Sequence, residues 1–291
     1  MQVPGFRFQV TAWRLPGNNL LLVTCTRYPY LCAMLKETLI NATEAGAKVL
    51  QHYFNSTTLL ISNKEGVNNL VTEADHASEK AILETIKQQF PDHYIMSEEA
   101  GEIIMDSEYK WIIDPIDGTV NFAHGIPICC VSIGLEHNGT MIMGAVLNPF
   151  IKEYYFAEKG KGASLNGEPI HVSVQSDLMK SCLVTGFPYT YINQPNGPLE
   201  AFSRFIRAGI PVRRLGSAAM DLCWVAAGRF DGFYEHKLQA WDSAAGFLIV
   251  EEAGGKVTDF EGKYYSPYQP HIAASNGKIH DDMLKWVNDK A

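Results

Sequence analysis

Apolar residues recur with a helical period through Leu35, Leu39, Ala42, Ala45, Ala47, Val49 and Leu50, which predicts an amphipathic helix running to about Phe54. The period then changes. Thr57 to Ile61 favour a strand, and Lys64 follows in a polar loop leading to Thr72-Glu73-Ala74-Asp75. That S/T-x-x-D/E string marks the start of a helix that ends before Pro91. A short strand, His93 to Met96, runs into the acidic cluster Ser97-Glu98-Glu99, and the apolar run Trp111-Ile112-Ile113 stops at Asp114-Pro115-Ile116-Asp117-Gly118-Thr119. Beyond it the pattern predicts strands at Ile128 to Glu136 and Thr140 to Asn148, joined by an Asn138-Gly139 turn. Further antiparallel pieces follow at Glu153 to Ala157, Lys159 to Ala163 and Ile170 to Val174, with a turn at Asn166-Gly167.

The second half starts with a strand from Ser181 to Thr185 and a polar loop from Tyr191 to Pro198, then a helix from Leu199 to Ala208. Val212 to Leu215 read as a strand, Gly216-Ser217 open a small-residue helix through Ala226, and Phe230 to Glu235 read as another strand. Trp241-Asp242 begin a helix that reaches Ala253 and stops at Gly254-Gly255; two strands, Lys256 to Asp259 and His271 to Ser275, precede a last helix from Ile279 to Val287. This order divides the chain near Ser176, into 34–176 and 177–291. Residues 1–33 show no sustained period and stand as an N-terminal extension outside the domain, with Met34 a candidate natural start.

The 291 residues include 46% hydrophobic and 19% charged, enough for a large core in two subdomains. Lys and Arg total 24 against 32 Asp and Glu; the net charge of −8 argues against a binder of nucleic-acid backbone and agrees with cation binding. Leu20 to Val23 are too short an apolar patch to span a bilayer. Six cysteines without a C-x-x-C pair suggest reduced core thiols and a cytoplasmic setting, and nine histidines without H-E-x-x-H leave zinc hydrolase chemistry unsupported.

What remains is carboxylate chemistry. Asp114 and Asp117 sit three residues apart at a strand end, and carboxylates held that close repel unless a proton or a hard cation lies between them. Asp117-Gly118 read alone is also an ordinary acidic turn. Asp75 and Asp242 are each explained by helix capping, yet either can lie beside a metal near its helix start.

Together, Ser97-Glu98-Glu99, the Asp114 to Phe122 string and Trp241-Asp242-Ser243-Ala244-Ala245-Gly246 resemble the inositol monophosphatase family of Mg²⁺-dependent, lithium-sensitive phosphatases, over roughly residues 35 to 288. The resemblance implies an α+β fold, a layered αβαβα sandwich of the inositol monophosphatase and fructose-1,6-bisphosphatase type. It implies two or three Mg²⁺ ions, held by Glu98, Asp114 and the Ile116 carbonyl and by Asp114, Asp117 and Asp242. It gives Glu98 and Thr119 the attacking water, the Gly118 and Thr119 N–H groups the phosphate, and Asp75 and Glu99 supporting positions. Lys64 falls where the family often has a lysine near the phosphate. Asp117, the Gly216-Ser217-Ala218 backbone and Glu235 match residues that meet inositol hydroxyls.

A homodimer is expected by the same analogy. The Thr119-Val120-Asn121-Phe122 string is nearer the form of inositol monophosphatases than that of nucleotide phosphatases, so inositol 1-phosphate is the favoured substrate. Histidinol phosphate, fructose 1,6-bisphosphate and adenosine 3′,5′-bisphosphate are alternatives. Some bacterial members of the family also act as partners of transcription or ribosome-assembly machinery, a different class of role.

Overall fold

The computed structural model describes residues 29–54, 61–63, 70–188 and 197–289. Most of the N-terminal extension, nearly all of the strand expected from Thr57, Lys64 and most of the Tyr191 to Pro198 loop therefore lie outside the described residues.

Five layers can be read from three separate apolar cores. Helices α1 (Pro29–Tyr53) and α2 (Glu73–Gln89) bury Leu35, Leu39, Leu50, Ile82 and Ile86 against one face of an eight-stranded sheet. That sheet contains β3 (Tyr94–Ser97), β4 (Gly101–Ile103), β5 (Tyr109–Asp117), β6 (Cys130–His137), β7 (Thr140–Asn148), β8 (Glu153–Glu158), β9 (Ala163–Leu165) and β10 (Glu168–Pro169), in the order β10-β9-β8-β7-β6-β5-β3-β4. Strands β1 (Ile61–Asn63) and β2 (Leu70–Thr72) form a small ribbon ahead of α2. All neighbours in the large sheet are antiparallel except β3 and β5, which run parallel. Its central strands are buried on both faces, so they read as continuous apolar runs rather than as alternation.

The other face meets α5 (Ala218–Ala226) and α6 (Ala240–Glu252), which are apolar almost all round because they are also covered from behind. Behind them stands a second sheet of β11 (Leu183–Thr185), β12 (Val212–Arg213), β13 (Gly232–His236), β14 (Lys256–Thr258) and β15 (His271–Ser275), ordered β12-β11-β13-β15-β14. Its far face packs Leu183, Tyr234 and Ala273 against α4 (Pro198–Arg207) and α7 (His280–Val287), through Phe205 and Met283. The α+β, αβαβα sandwich is the architecture found. The short helix α3 (Thr119–Ala123) stands outside the layers, directly after β5.

The small residues of the Trp241 to Gly246 string have a packing reason. A Cβ on Gly144 of β7 would stand 2.8 Å from the Ala245 carbonyl oxygen, so α6 lies against the sheet closer than larger residues permit.

Three expectations shift. Helix α1 starts earlier than Leu35, at Pro29, a residue suited to a first helical position. Ile170 to Val174 form no strand; Val172 N–H instead donates to the Ala253 carbonyl at the end of α6. Cys129, Cys130, Cys182 and Cys223 are free thiols as expected, whereas Cys32 is joined in a disulfide. Among the described residues no helix is long and apolar enough to cross a membrane.

Candidate metal and substrate site

Strand β5 does not end at Asp114. It continues to Asp117, but its register with β6 shifts between the two acids, where Pro115 has no N–H to give the ladder. In a regular strand residues three apart face opposite sides. The irregularity turns Asp117 to the side of Asp114, and the Asp114 carboxylate closes the turn by accepting the Ile116 N–H at 3.0 Å. The Ser78 hydroxyl, from α2, ties down the Pro115 carbonyl at 3.0 Å.

Gly118 follows at φ +93°, a left-handed conformation that suits glycine, and a Cβ there would stand 2.9 Å from the Ile128 carbonyl oxygen. The chain thus enters α3 at once. Asn121 on α3 donates to the carbonyls of Ile128 and Leu215, both at 2.7 Å, binding the β5–α3 turn to the second half of the molecule.

Asp242 reaches the same place from the first turn of α6, where it accepts the Gln239 N–H at 2.7 Å. Ligand oxygens of Asp114, Asp117 and Asp242 lie within 4.8 Å of one another. Burial pushes the Asp114 carboxyl well above the usual range, and Glu98, Asp117, Asp242 and Asp75 push it further the same way. All-oxygen donors gathered this closely and away from water suit a hard divalent cation. Magnesium therefore fits the donor set.

A cavity of about 480 Å³ opens over this cluster. Its walls contain Glu98, Asp114, Ile116, Asp117, Gly118, Thr119, Gly216, Ser217, Ala218, Glu235 and Asp242, so the fold gathers at one cleft residues that lie up to about half of the chain apart in sequence. Glu98 lines the cavity but stands outside the close group of three acids. Asp75 and Glu99 do not line it.

Asp75 serves two structures at once. It accepts the Thr72 N–H and hydroxyl, both at 2.7 Å, in the capping box of α2, and its other oxygen is 3.2 Å from the Thr119 hydroxyl. That hydroxyl also lies 3.0 Å from the Ile116 carbonyl. Burial raises the Asp75 carboxyl to about 6, against the lowering hydrogen bonds from Thr72, with Glu99 and Glu98 adding to the rise.

Asp117 is held from the second half. It accepts the Ser217 hydroxyl at 2.6 Å, the Ala219 N–H at 2.7 Å and the Ala218 N–H at 3.3 Å, all at the start of α5. Burial lifts its carboxyl to about 6 even so, because these bonds only partly offset the loss of water. Of the Gly216-Ser217-Ala218 backbone expected to meet a substrate hydroxyl, the Ala218 N–H is thus engaged by Asp117.

Several residues of the site carried no local signal. Glu79 on α2 accepts the Ser97 hydroxyl at 2.5 Å and the Ala100 N–H at 2.8 Å, fixing the turn that presents Glu98 and Glu99. Gly186, Arg214 and Asp221 also line the cavity. Burial, then Glu235 and Asp117, hold the Asp221 carboxyl well above its ordinary range, with Arg214 pulling the other way. Glu235 is raised by burial and by Asp242 and Asp117. In sequence, Asp221 looks like one more acid in a helix; only the docking of α5 turns it to the cavity.

A layered sandwich with an acid-lined cleft between its halves defines a metal-dependent hydrolase scaffold. The sequence pattern of the inositol monophosphatase family matches residues 33–290, and the chain belongs to that family. It is 45% identical over 224 residues to an inositol-1-monophosphatase from Synechocystis sp., covering 77% of this chain and 78% of the relative. It is 39% identical over 255 residues to Nus factor SuhB from Pasteurella multocida, covering 87% and 95%. Among solved structures, the extragenic suppressor protein suhB from Bartonella henselae superposes with a TM-score of 0.82 at 37% identity, covering 89% of this chain and 100% of that one. The family and its relatives support phosphatase activity for this chain.

Proposed function

We propose that this chain is a Mg²⁺-dependent phosphate monoester hydrolase acting on inositol 1-phosphate. The observation that carries the reading is the convergence of Asp114, Asp117 and Asp242 within 4.8 Å at the floor of a cavity lined with polar groups. Asp114, Asp117 and Asp242 hold Mg²⁺, with Glu98 and the Ile116 carbonyl completing the donor set from the cavity wall. Bound there, Mg²⁺ neutralises phosphoryl oxygens, acidifies water and stabilises the departing alkoxide.

The rest is done by the chain's own groups. Thr119 and Glu98 orient the attacking water and take its proton, Glu98 on its carboxylate and Thr119 by passing its own hydroxyl proton to the Asp75 carboxylate; the Asp75 and Ile116 oxygens beside the Thr119 hydroxyl set its direction. The N–H groups of Gly118 and Thr119 receive the phosphate. Glu235, on the second-half wall, and Asp117 receive hydroxyls of the leaving alcohol, and Gly216 lines the same wall. Asp75 and Glu99 support Glu98 and Thr119 from behind. A homodimer follows the family analogy. The four free thiols favour a cytoplasmic setting, while the Cys32 disulfide weighs against it.

The test is phosphate release from inositol 1-phosphate, histidinol phosphate, fructose 1,6-bisphosphate and adenosine 3′,5′-bisphosphate, with and without Mg²⁺ and with added Li⁺. Mg²⁺-dependent, Li⁺-inhibited release greatest for inositol 1-phosphate is the expected result. A different preferred ester keeps the mechanism and replaces the substrate, and no release from any ester by folded protein rejects the hydrolase reading.

The similarity to a Nus factor favours a second reading, a partner-binding regulator. Asp114→Asn separates the two: cellular function that survives loss of turnover belongs to the binding role.

A further inference from the structure

The leaving-group side of the cavity holds a feature that the metal chemistry does not use. Asp221 is 1% exposed and lines the cavity, yet its Oδ1 has no hydrogen-bond partner. It sits one turn along α5 from Ser217, whose hydroxyl is given to Asp117, and its own N–H is spent on the Ser217 carbonyl. Arg214 lines the same cavity, but its guanidinium lies against Gly216, where a Cβ would stand 3.0 Å from Nη1. A buried acceptor left without a donor costs free energy in the empty protein. Such a cost is offset when a ligand brings the donor.

The neighbouring wall has been cleared for the same purpose. Glu235, at the end of β13, extends its carboxylate over Gly186, where any Cβ would collide with it. Two buried carboxyl groups thus face one volume, and hydroxyl groups, which donate without carrying charge, are the ligand chemistry that satisfies both.

We infer that Asp221 is a specificity-determining residue that accepts a hydrogen bond from a hydroxyl of a polyhydroxylated leaving alcohol, beside Glu235. The inference rests on the hydrolase reading above and adds a residue to its leaving-group side. A site that leaves a buried acceptor unpaired discriminates against alcohols that lack the matching hydroxyl.

The experiment compares inositol 1-phosphate with p-nitrophenyl phosphate, an ester whose leaving group has no further hydroxyl, in wild-type protein, Asp221→Leu and Asp221→Asn. For Asp221→Leu the ratio of kcat/KM for inositol 1-phosphate to that for p-nitrophenyl phosphate should fall about tenfold, carried by KM. Its Tm should equal or exceed that of wild type, because an unpaired buried carboxyl has been replaced by an apolar group of similar size. Asp221→Asn, which keeps an acceptor oxygen, should retain part of the ratio, and it decides the matter if the leucine variant fails to fold. An unchanged ratio, or equal loss on both esters, overturns the assignment while leaving the hydrolase reading intact. Folded wild-type protein that cleaves neither of these esters nor any of the panel above overturns both.

Discussion

Asp114 carries more unfavourable electrostatics than any ordinary fold element requires. Burial and four neighbouring carboxyl groups all disfavour its charge, and the hydrogen bond it accepts from Ile116 N–H does not neutralise them. The side chain is therefore held at a cost to the metal-free fold, as sites that bind cations commonly are. Asp114→Asn should raise the stability of the metal-free protein by about 1 kcal/mol, or roughly 2 °C in Tm, while abolishing both turnover and the further Tm increase that Mg²⁺ gives. Differential scanning calorimetry with EDTA and with Mg²⁺, alongside phosphate release, checks this. A variant less stable than wild type in EDTA would show that Asp114 is a structural residue.

At the scale of elements, spacing and turn chemistry made much of the fold readable: the period of α1, the Thr72 to Asp75 cap, the Asn138-Gly139 hairpin and the start of α6 at Trp241-Asp242 are local signals. The acids at strand ends and helix starts could be found for the same reason. Other features depend on contacts between distant segments. The bulge that aligns Asp117 with Asp114, the α5 donors that hold Asp117, the Glu79 brace and the cavity side of Asp221 have no periodic trace, since each is decided by docking. Close packing of α6 is one such contact. Gly144→Ala should cost about 1–3 kcal/mol and weaken Mg²⁺ binding, because the added methyl meets the Ala245 carbonyl and displaces the helix that carries Asp242. Chemical denaturation and Mg²⁺ titration of the variant measure both effects; full stability would refute the packing argument.

A second element-level contact gives a pH dependence. His280 is fully buried at the start of α7; its Nδ1 is 2.9 Å from the Ser275 hydroxyl and its Nε2 is 2.8 Å from the Thr258 hydroxyl. The Thr258 hydroxyl also reaches the Asp259 carbonyl at 2.6 Å, so Thr258 accepts from Nε2–H, and Nδ1 is left to accept from Ser275. A proton on Nδ1 would oppose that donor, and burial lowers the imidazole to about 4 from the usual 6.5. The unfolded chain therefore takes up the proton first. The stability this histidine supplies is fully present above pH 6.5 and is lost as pH falls toward 4, by about 3 kcal/mol. Unfolding free energies measured across that window should fall more steeply for wild type than for His280→Asn; equal slopes would remove His280 as the cause.

For the whole molecule, the central layer of α5 and α6 is shared by the two sheets, and neither half can expose it without uncovering the other. The close group of acids repeats that arrangement, with Asp114 and Asp117 from β5 and Asp242 from α6, while Asn121 joins the β5–α3 turn to the Leu215 carbonyl. Unfolding either half thus breaks the site, so a bound cation stabilises both together rather than one alone. At Mg²⁺ one hundred times its Kd, linkage gives about 2.7 kcal/mol, which for a chain of this length is a Tm rise of about 4 °C. The rise should appear in a single calorimetric transition. Two transitions, of which Mg²⁺ moves only one, would mean that the halves unfold independently and that the close group of acids does not bridge them in solution.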